Sequence, residues 1–421
     1  MENKNSKNRI GRLLYESTLT GANIETKQAL VGMTRIVSDS IYQGIVAKQP
    51  TSQPTAILFG IKYLNHNNEQ GALSNAVYSG AIGDRNIHGV PDMEAKTYDV
   101  DDMFKVKDSV YKVVDSVTFA SVDTDGSVIL DAIIKGKIRQ FGDVAPTSYF
   151  ENDNAVISDA KFTIDKWKMH VGTRKLKTDM TVELLQDMEA MGLKSAEVVD
   201  ECLASLISAD VNKDFFQKLI TVSKRYNTET MVEGLIDISN ESDAVQGRLL
   251  YRYICDMNAY IQRTTLFNGT YIACTPRVAG ILSSSGWAKE SKTPEADYTL
   301  QNGMDVYVDT NNPFDYVLVG MKHEFGDSLD QVGSLYFSPY EESGGETGIA
   351  TIINDPSSLQ PKISVMLRYA LSVNPYTLAP EIDEEGNRKT QEVKGDDWDK
   401  LIGKSNMSVF AGVKLPKLKM D

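Results

Sequence analysis

Cysteine and histidine are scarce in this chain, with three of the first and four of the second among 421 residues. Cys202, Cys255 and Cys274 show no paired spacing, and their flanks DECLAS, YRYICDM and YIACTP are largely apolar. That pattern predicts buried free thiols in a reducing compartment and argues against a disulfide framework or a zinc site. The opening MENKNSKNRIGR is polar and lacks the apolar heart of a secretory signal. No apolar run approaches the roughly 20 residues that a bilayer crossing takes, so a soluble chain without a membrane partner is expected. Its length suits two or three domains.

Catalytic patterns are missing as well. His66, His88, His170 and His323 are scattered along the chain. HEFGD begins like a zinc-protease helix, but Asp327 stands where the second histidine belongs. LSSSG has Leu282 in place of the leading glycine of a nucleophile elbow. SGGETG, at 343–348, has no following lysine and reads as a surface loop rather than a phosphate cradle. Glu341 and Glu342 are adjacent, and on a strand they would face opposite ways. No enzyme, metal or cofactor is expected.

Basic residues are in deficit. Forty-four Lys and Arg stand against 58 Asp and Glu, a formal net charge of −14. Such a surface repels phosphate backbones, which argues against sequence-specific DNA binding. Lys4, Lys7, Arg9 and Arg12 depart from the trend and read as a solvated tail, with contact to an acidic partner as the alternative.

What the chain does contain is turn-and-strand grammar around a few strong helices. Two Pro-containing turns precede a predicted strand, AILFGIKYL, within 41–64. Residues 92–108 read as acidic and irregular. SVYKVVDSVTFASVDTDGSVILDAIIKGKI, at 109–138, alternates on both sides of DTDG and predicts a hairpin. Asp123, Asp125 and Gly126 also brush a calcium-loop pattern, which fails at Ala132, where the closing Glu should stand.

MTVELLQDMEAMG predicts a helix ending at Gly192, and a second helix over 195–220 starts at Ser195. In the second, Val199, Leu203, Ile207, Val211, Phe215 and Leu219 recur every four positions and predict one buried face. A helix of that length spans about 40 Å and suits the spine of a sheet. Further along, 244–265 reads as helix, NGTYIAC as turn and strand, and TPRVAGILSSSGW as a helix with Thr275 and Pro276 at its start. NGMDVYVDT and DYVLVGMK read as strands, 379–400 as an exposed acidic loop, and 406–418 as a closing strand. DPSSLQPKISVMLRYALSVNPY, at 355–376, is an apolar strand bracketed by prolines and nearly free of reactive groups.

Several of these motifs, in fixed order, resemble the major capsid proteins of T-even-type tailed bacteriophages. Gly32-Met33, Gln49-Pro50 and Gln53-Pro54-Thr55 match the family's opening segment, and Glu183-Leu184-Leu185-Gln186-Asp187 matches its paired helices. YFSPY followed by the bracketed stretch is similar to the family's Tyr-Ala-Pro-Tyr, Asp-Pro, Phe-Gln-Pro, Thr-Arg-Tyr-Gly and Asn-Pro sequence. Leu367 and Ala370 stand where the family has Thr and Gly. The likeness runs from about residue 30 to the end.

The resemblance implies an α+β fold of the Hong Kong 97 type, with an N-terminal arm, a peripheral domain on a long spine helix, an extended two-stranded arm and an α/β axial domain. It assigns 1–40 to the arm, 41–80 to the first part of the peripheral domain, and 81–160 to the extended loop, with its two strands at 109–138. Residues 161–227 complete the peripheral domain with the spine at 195–220, and 228–334 form the axial domain. Return strands of the peripheral domain occupy 335–380, and 381–421 hold an acidic loop and the closing axial strand. The 65–160 stretch is read as too short for the additional insertion domain of larger members.

The implied function is self-assembly into hexamers, with pentamers beside them, of an icosahedral head that encloses DNA without sequence-specific binding. Partners are further copies and the capsid, vertex, portal and scaffold proteins of the virion, with assembly in the host cytoplasm. Gln360, Pro361, Arg368 and Tyr369 are candidate subunit-interface residues, although an intramolecular ion pair for Arg368 fits equally. LYES offers a prohead-protease site after Glu16. A vertex-type capsid paralogue or a nanocompartment shell is the alternative within the fold, and an α/β enzyme the alternative outside it.

Overall fold

The computed structural model describes residues 44–64, 81–82, 85–86, 90–106, 109–123, 126–141, 146–151, 155, 161–190, 195–228, 231, 234–265, 267–291, 296–325, 330–341, 348–354, 360–374 and 393–417. The fold mixes helix and sheet, and the chain divides into two compact units. The smaller includes Arg174–Asp210 and Gly348–Leu367; the larger includes Tyr42–Thr173, Val211–Thr347 and Arg368–Asp421. The basic tail, Glu16 and most of the expected acidic loop lie outside the described residues.

In the larger unit, strand β1 (Thr55–Leu64) pairs antiparallel with β2 (Lys161–His170) over ten residues, from Thr55 opposite His170 to Leu64 opposite Lys161. Because side chains alternate, one face of this ribbon buries Ala56, Leu58, Trp167 and Met169. The opposite face carries Ile57, Phe59, Ile164, Lys166 and Lys168, all exposed.

The chain between the two strands corrects two expectations. Residues 109–138 are not a hairpin about DTDG. The strand Ser109–Val113 pairs on one side with Met103–Val106 and on the other with Ile138–Gln140, and helix α1 (Ser127–Ile134) lies between the last two pieces of chain. The cause is local. Asp123 accepts the Gly126 N–H at 2.7 Å and the Ile129 N–H at 2.8 Å, while Gly126 takes φ 91°. A carboxylate receiving the first free amides of a turn starts a helix, and SVILDAII, whose composition suits a strand, follows it. Residues 92–108 are not irregular throughout either, since Thr97–Tyr98 and Met103–Val106 are strands. The stretch also carries its own hydrophobic core of Met93, Tyr98, Phe104, Val113, Val117, Phe119, Ile129, Ala132 and Ile138. It therefore holds a folded insert with a core of its own.

In the smaller unit, β3 (Gly172–Asp179) leads to helix α2 (Val182–Ala190) and helix α3 (Ser195–Val222). Met180, Met188, Leu203 and Ile363 form its core, with Leu176, Val199 and Val365 packed against them. The second half of α3 belongs to the larger unit, where Val211, Phe215, Leu219 and Val222 are fully buried and Asn212 and Phe216 nearly so. The expected stripe is apolar, but it is not one straight face. Four-residue steps advance 400° on a helix of 3.6 residues per turn, so the stripe winds by about 40° per step, or about 200° from Val199 to Leu219. Its two ends face nearly opposite ways, and Leu206 between them is left exposed. Cys202 is also exposed and Cys255 partly so, which corrects the expectation of three buried thiols; only Cys274 is buried. Cys202 falls four residues before Leu206, on the same outward side of α3.

Strand β4 (Leu335–Pro339) pairs antiparallel with the Tyr369–Val373 end of β6 (Pro361–Val373), while β5 (Gly348–Asn354) pairs with its Pro361–Leu367 end. The short strand Ala47–Lys48 joins β4 in parallel, and its Ala47 is buried with Ile45 and Val46. The remaining large element is an eight-stranded mixed sheet that includes Tyr271–Cys274, Asp305–Val308, Tyr316–Gly320 and the closing strand Ser405–Lys414. Helices α4 (Asp243–Thr265) and α5 (Pro276–Ser284) contribute to its core. Leu250, Ile254, Met257 and Ile261 recur at helical spacing on the inward side of α4 and are fully buried. No helix among the described residues is long and apolar enough to cross a membrane.

Candidate assembly surfaces

Strand β6 carries the residues that the sequence singles out, and it splits them. Gln360 and Pro361 stand at its start in the smaller unit, whereas Arg368 and Tyr369 belong to the larger. Arg368 and Tyr369 are neighbours on a strand, so they take opposite faces. The Arg368 guanidinium lies 4.2 Å from the centre of the Tyr340 ring, a cation–aromatic contact within the chain. Tyr369 is only 7% exposed, and its hydroxyl donates to Asp214 Oδ2 on α3 at 2.8 Å. Its ring stands 5.6 Å from Phe337, which meets Phe215 of α3 edge-on at 5.2 Å. Tyr369 thereby joins sheet to helix. The Asn-Pro bracket has a comparable structural cause: Asn374 is buried and donates through Nδ2 to the Gly333 carbonyl at 2.9 Å.

HEFGD and LSSSG stand in other settings than the motifs they brush. HEFGD opens on the strand Lys322–Phe325 rather than a helix, and His323 stacks on Phe267 at 4.8 Å. Ser284 ends α5 with its hydroxyl donated to the Ile281 carbonyl. No group of His, Cys, Asp and Glu among the described residues could hold a metal ion. Asp123 spends both carboxylate oxygens on the backbone of α1.

Titration shifts are structural too. Burial pushes the Tyr271, Cys274 and Tyr316 groups far up, and for Tyr316 the adjacent Asp309 carboxylate adds to it. The hydrogen bond from Lys414 holds Asp237 down to about 2, with help from Ser239. That pair ties the strand Leu235–Asp237 to the closing strand.

Exposed apolar side chains are the more telling feature, because about half of those described fall on three elements. The outward ribbon face holds Phe59 at 61% and Ile164 at 59% exposure, with Lys166 Nζ 6.0 Å from the Phe59 ring centre. Helix α1 exposes Leu130, Ile133 and Ile134, the last at 75%. Helix α2 exposes Val182 and Leu184. Scattered exposed apolar residues need no explanation, but several on one face mark a contact surface. The sequence signal was present in the alternation of AILF with KWKM, yet only the register of β1 against β2 places both sets on one face.

Comparison with known proteins bears on what such surfaces serve. The family model described as Major capsid protein Gp23 matches residues 23–413. The capsid vertex protein of Enterobacteria phage T4 is 40% identical over 98% of this chain and 99% of its own. The major capsid protein of the same phage is 24% identical over 85% of this chain and 77% of its own. Among solved structures, the capsid of Myoviridae phage XM1 is similar with a TM-score of 0.41 at 8% identity, over 94% of this chain and 96% of that one. With a family match spanning nearly the whole chain and a relative aligned from end to end, this chain belongs to the Gp23 family of tailed-phage capsid proteins.

Proposed function

We propose that this capsid protein is a vertex-type subunit, which closes the corners of an icosahedral head rather than tiling its faces. The observation that carries the reading is a contrast within one virus. The T4 vertex protein is 40% identical and collinear with this chain, whereas the T4 major capsid protein is 24% identical and covered to 77%. The reading entails a Hong Kong 97-type fold, in which α3 is the spine and the β1–β2 ribbon is the two-stranded arm in place of 109–138. It also entails homo-oligomeric rings that join other capsid, portal and scaffold proteins of the virion around packaged DNA. Surfaces with apolar residues on ribbon, α1 and α2 support it, since shell contacts sum many modest areas. The net charge of −14 suits a wall that does not adsorb the packaged polymer.

The second reading, a hexamer-forming major capsid protein, is favoured by the family description itself. Cryo-microscopy of the virion separates the two. Density for this chain confined to five-fold positions is the expected result. Density for it in hexamers overturns the vertex reading and leaves family membership intact. Intact mass of the subunit from virions tests trimming after Glu16, for which a mass that begins at Ser17 is expected.

A further inference from the structure

We infer that Asn302 is a self-modifying site, at which the folded chain turns an asparagine into aspartyl and isoaspartyl with water as co-reactant. The sequence holds Asn-Gly twice, at 268–269 and at 302–303. That dipeptide suits the chemistry, because glycine has no Cβ to keep the preceding side chain away from its backbone nitrogen. The fold gives the two copies opposite surroundings.

Asn302 and Gly303 lie in the exposed turn between the strands Tyr298–Leu300 and Asp305–Val308. Gly303 takes φ 90°, and beyond its chain neighbours no heavy atom lies within 4 Å of where a side chain would begin. Asn302 Oδ1 accepts the Met304 N–H at 3.3 Å, which folds the side-chain carbonyl back beside the Gly303 nitrogen between them. The Gly303 N–H donates to the Leu300 carbonyl at 3.0 Å. On a surface turn such a bond is readily exchanged for one to water.

At the other copy, Gly269 is buried and its N–H donates to Asn258 Oδ1 at 2.6 Å. Asn258 Oδ1 and Val319 Cγ1 each lie 3.0 Å from where a side chain would begin. Thr270 donates its N–H to the Gly320 carbonyl at 2.9 Å, and its hydroxyl accepts the Lys322 N–H at 2.8 Å. The segment is thus fixed to its sheet, and its nitrogen is enclosed.

In the reaction a solvent base takes the proton of the Gly303 nitrogen, whose electron pair forms a bond to Asn302 Cγ. The Cγ–Nδ2 bond breaks and the amide nitrogen takes up a proton in turn, leaving as ammonia and closing a succinimide ring. Water then adds at either ring carbonyl and opens the ring, to aspartyl or to isoaspartyl. Water enters, ammonia leaves, and nothing is oxidised or reduced. Each event adds a negative charge. The isoaspartyl form also puts an extra methylene into the backbone of a turn that sets Tyr298 opposite Val306 and Thr299 opposite Asp305. Leu300 and Met304, both 3% exposed, anchor that turn in the core. The chemistry needs no shell; its build-up with particle age rests on the shell-building reading above, since a subunit held in a shell is not renewed.

Ageing the full-length chain at mildly alkaline pH tests this, with each site read by peptide mass mapping. The peptide holding Asn302 is expected to gain the mass of OH over NH2 and to separate into two forms, with Asn268 converted about tenfold less. In urea, where neither surrounding persists, the two sites are expected to convert within about threefold of each other. Asn302→Gln should abolish conversion at that position, because the longer side chain does not close the same ring. Exchange of the Leu300 amide, which donates to the Met304 carbonyl, should be faster in the aged parent than in the aged variant. An Asn302 that stays intact in the folded chain overturns the inference. Equal conversion at Asn268 in the folded chain, or a gap that persists in urea, overturns it too, since either takes the choice of site away from the fold. A chain that converts at Asn302 yet never assembles upholds the inference and defeats only the shell-building reading.

Discussion

Asp123 shows how much one side chain settles locally. DTDG reads as a tight turn or a failed calcium loop, because both use the same Asp-and-Gly chemistry. In the fold, the nearly buried Asp123 carboxylate accepts two backbone amides at the head of α1, and Gly126 supplies the positive φ that admits the turn. Asp123→Ala leaves those amides without acceptors and should destabilise the insert by about 1–2 kcal/mol. Hydrogen exchange at the Gly126 and Ile129 amides should accelerate, while exchange in the Tyr271–Cys274 strand stays unchanged, since that strand belongs to a separate core. Thr275 and Pro276, by contrast, were legible as a helix start. Even there the Thr275 hydroxyl donates to Asp315 rather than capping α5, a partner 40 positions away that no local pattern discloses.

Elements were legible where periodicity was long and local. Helices α3 and α4 and the strands at 271–274, 305–308, 316–320 and 405–414 stand where alternation or helical spacing placed them. Two failures have different physical causes. SVILDAII is apolar apart from Ser127 and Asp131, so its alternation is too weak to tell helix from strand, and the nearby cap decided. The ribbon was half legible: β1 was expected, but β2 comes long after it in the chain, and pairing at such separation is written in no window of sequence. The α3 stripe was found without its winding, and the winding has measurable consequences. Phe215, fully buried, should cost about 3–5 kcal/mol as Phe215→Ala in equilibrium unfolding. Leu206→Ser, on the exposed side of the same helix, should stay within about 0.5 kcal/mol. Equal losses at the two positions would mean that α3 is buried evenly around its axis.

The whole molecule can be understood as a shell subunit with a module set into its ribbon. The chain leaves the ribbon at Leu64 and returns at Lys161, and these two residues are cross-strand partners. A two-residue Asn-Gly turn spans such a gap, because its backbone twist matches that of the flanking strands. Between these points the insert closes a core of its own, built from Met93 to Ile138, that shares no residue with the core of the eight-stranded sheet. Replacing 65–160 by Asn-Gly should therefore remove the insert without unfolding the rest. The shortened chain should unfold cooperatively at a midpoint within about 2 °C of the parent's main transition, roughly the shift that about 1 kcal/mol produces in a chain of this length. The exposed apolar face of α1 leaves with the insert, so aggregation of the isolated subunit should fall. If the shortened chain instead loses its cooperative transition, then the insert supports the ribbon that carries it, and the two must fold as one piece.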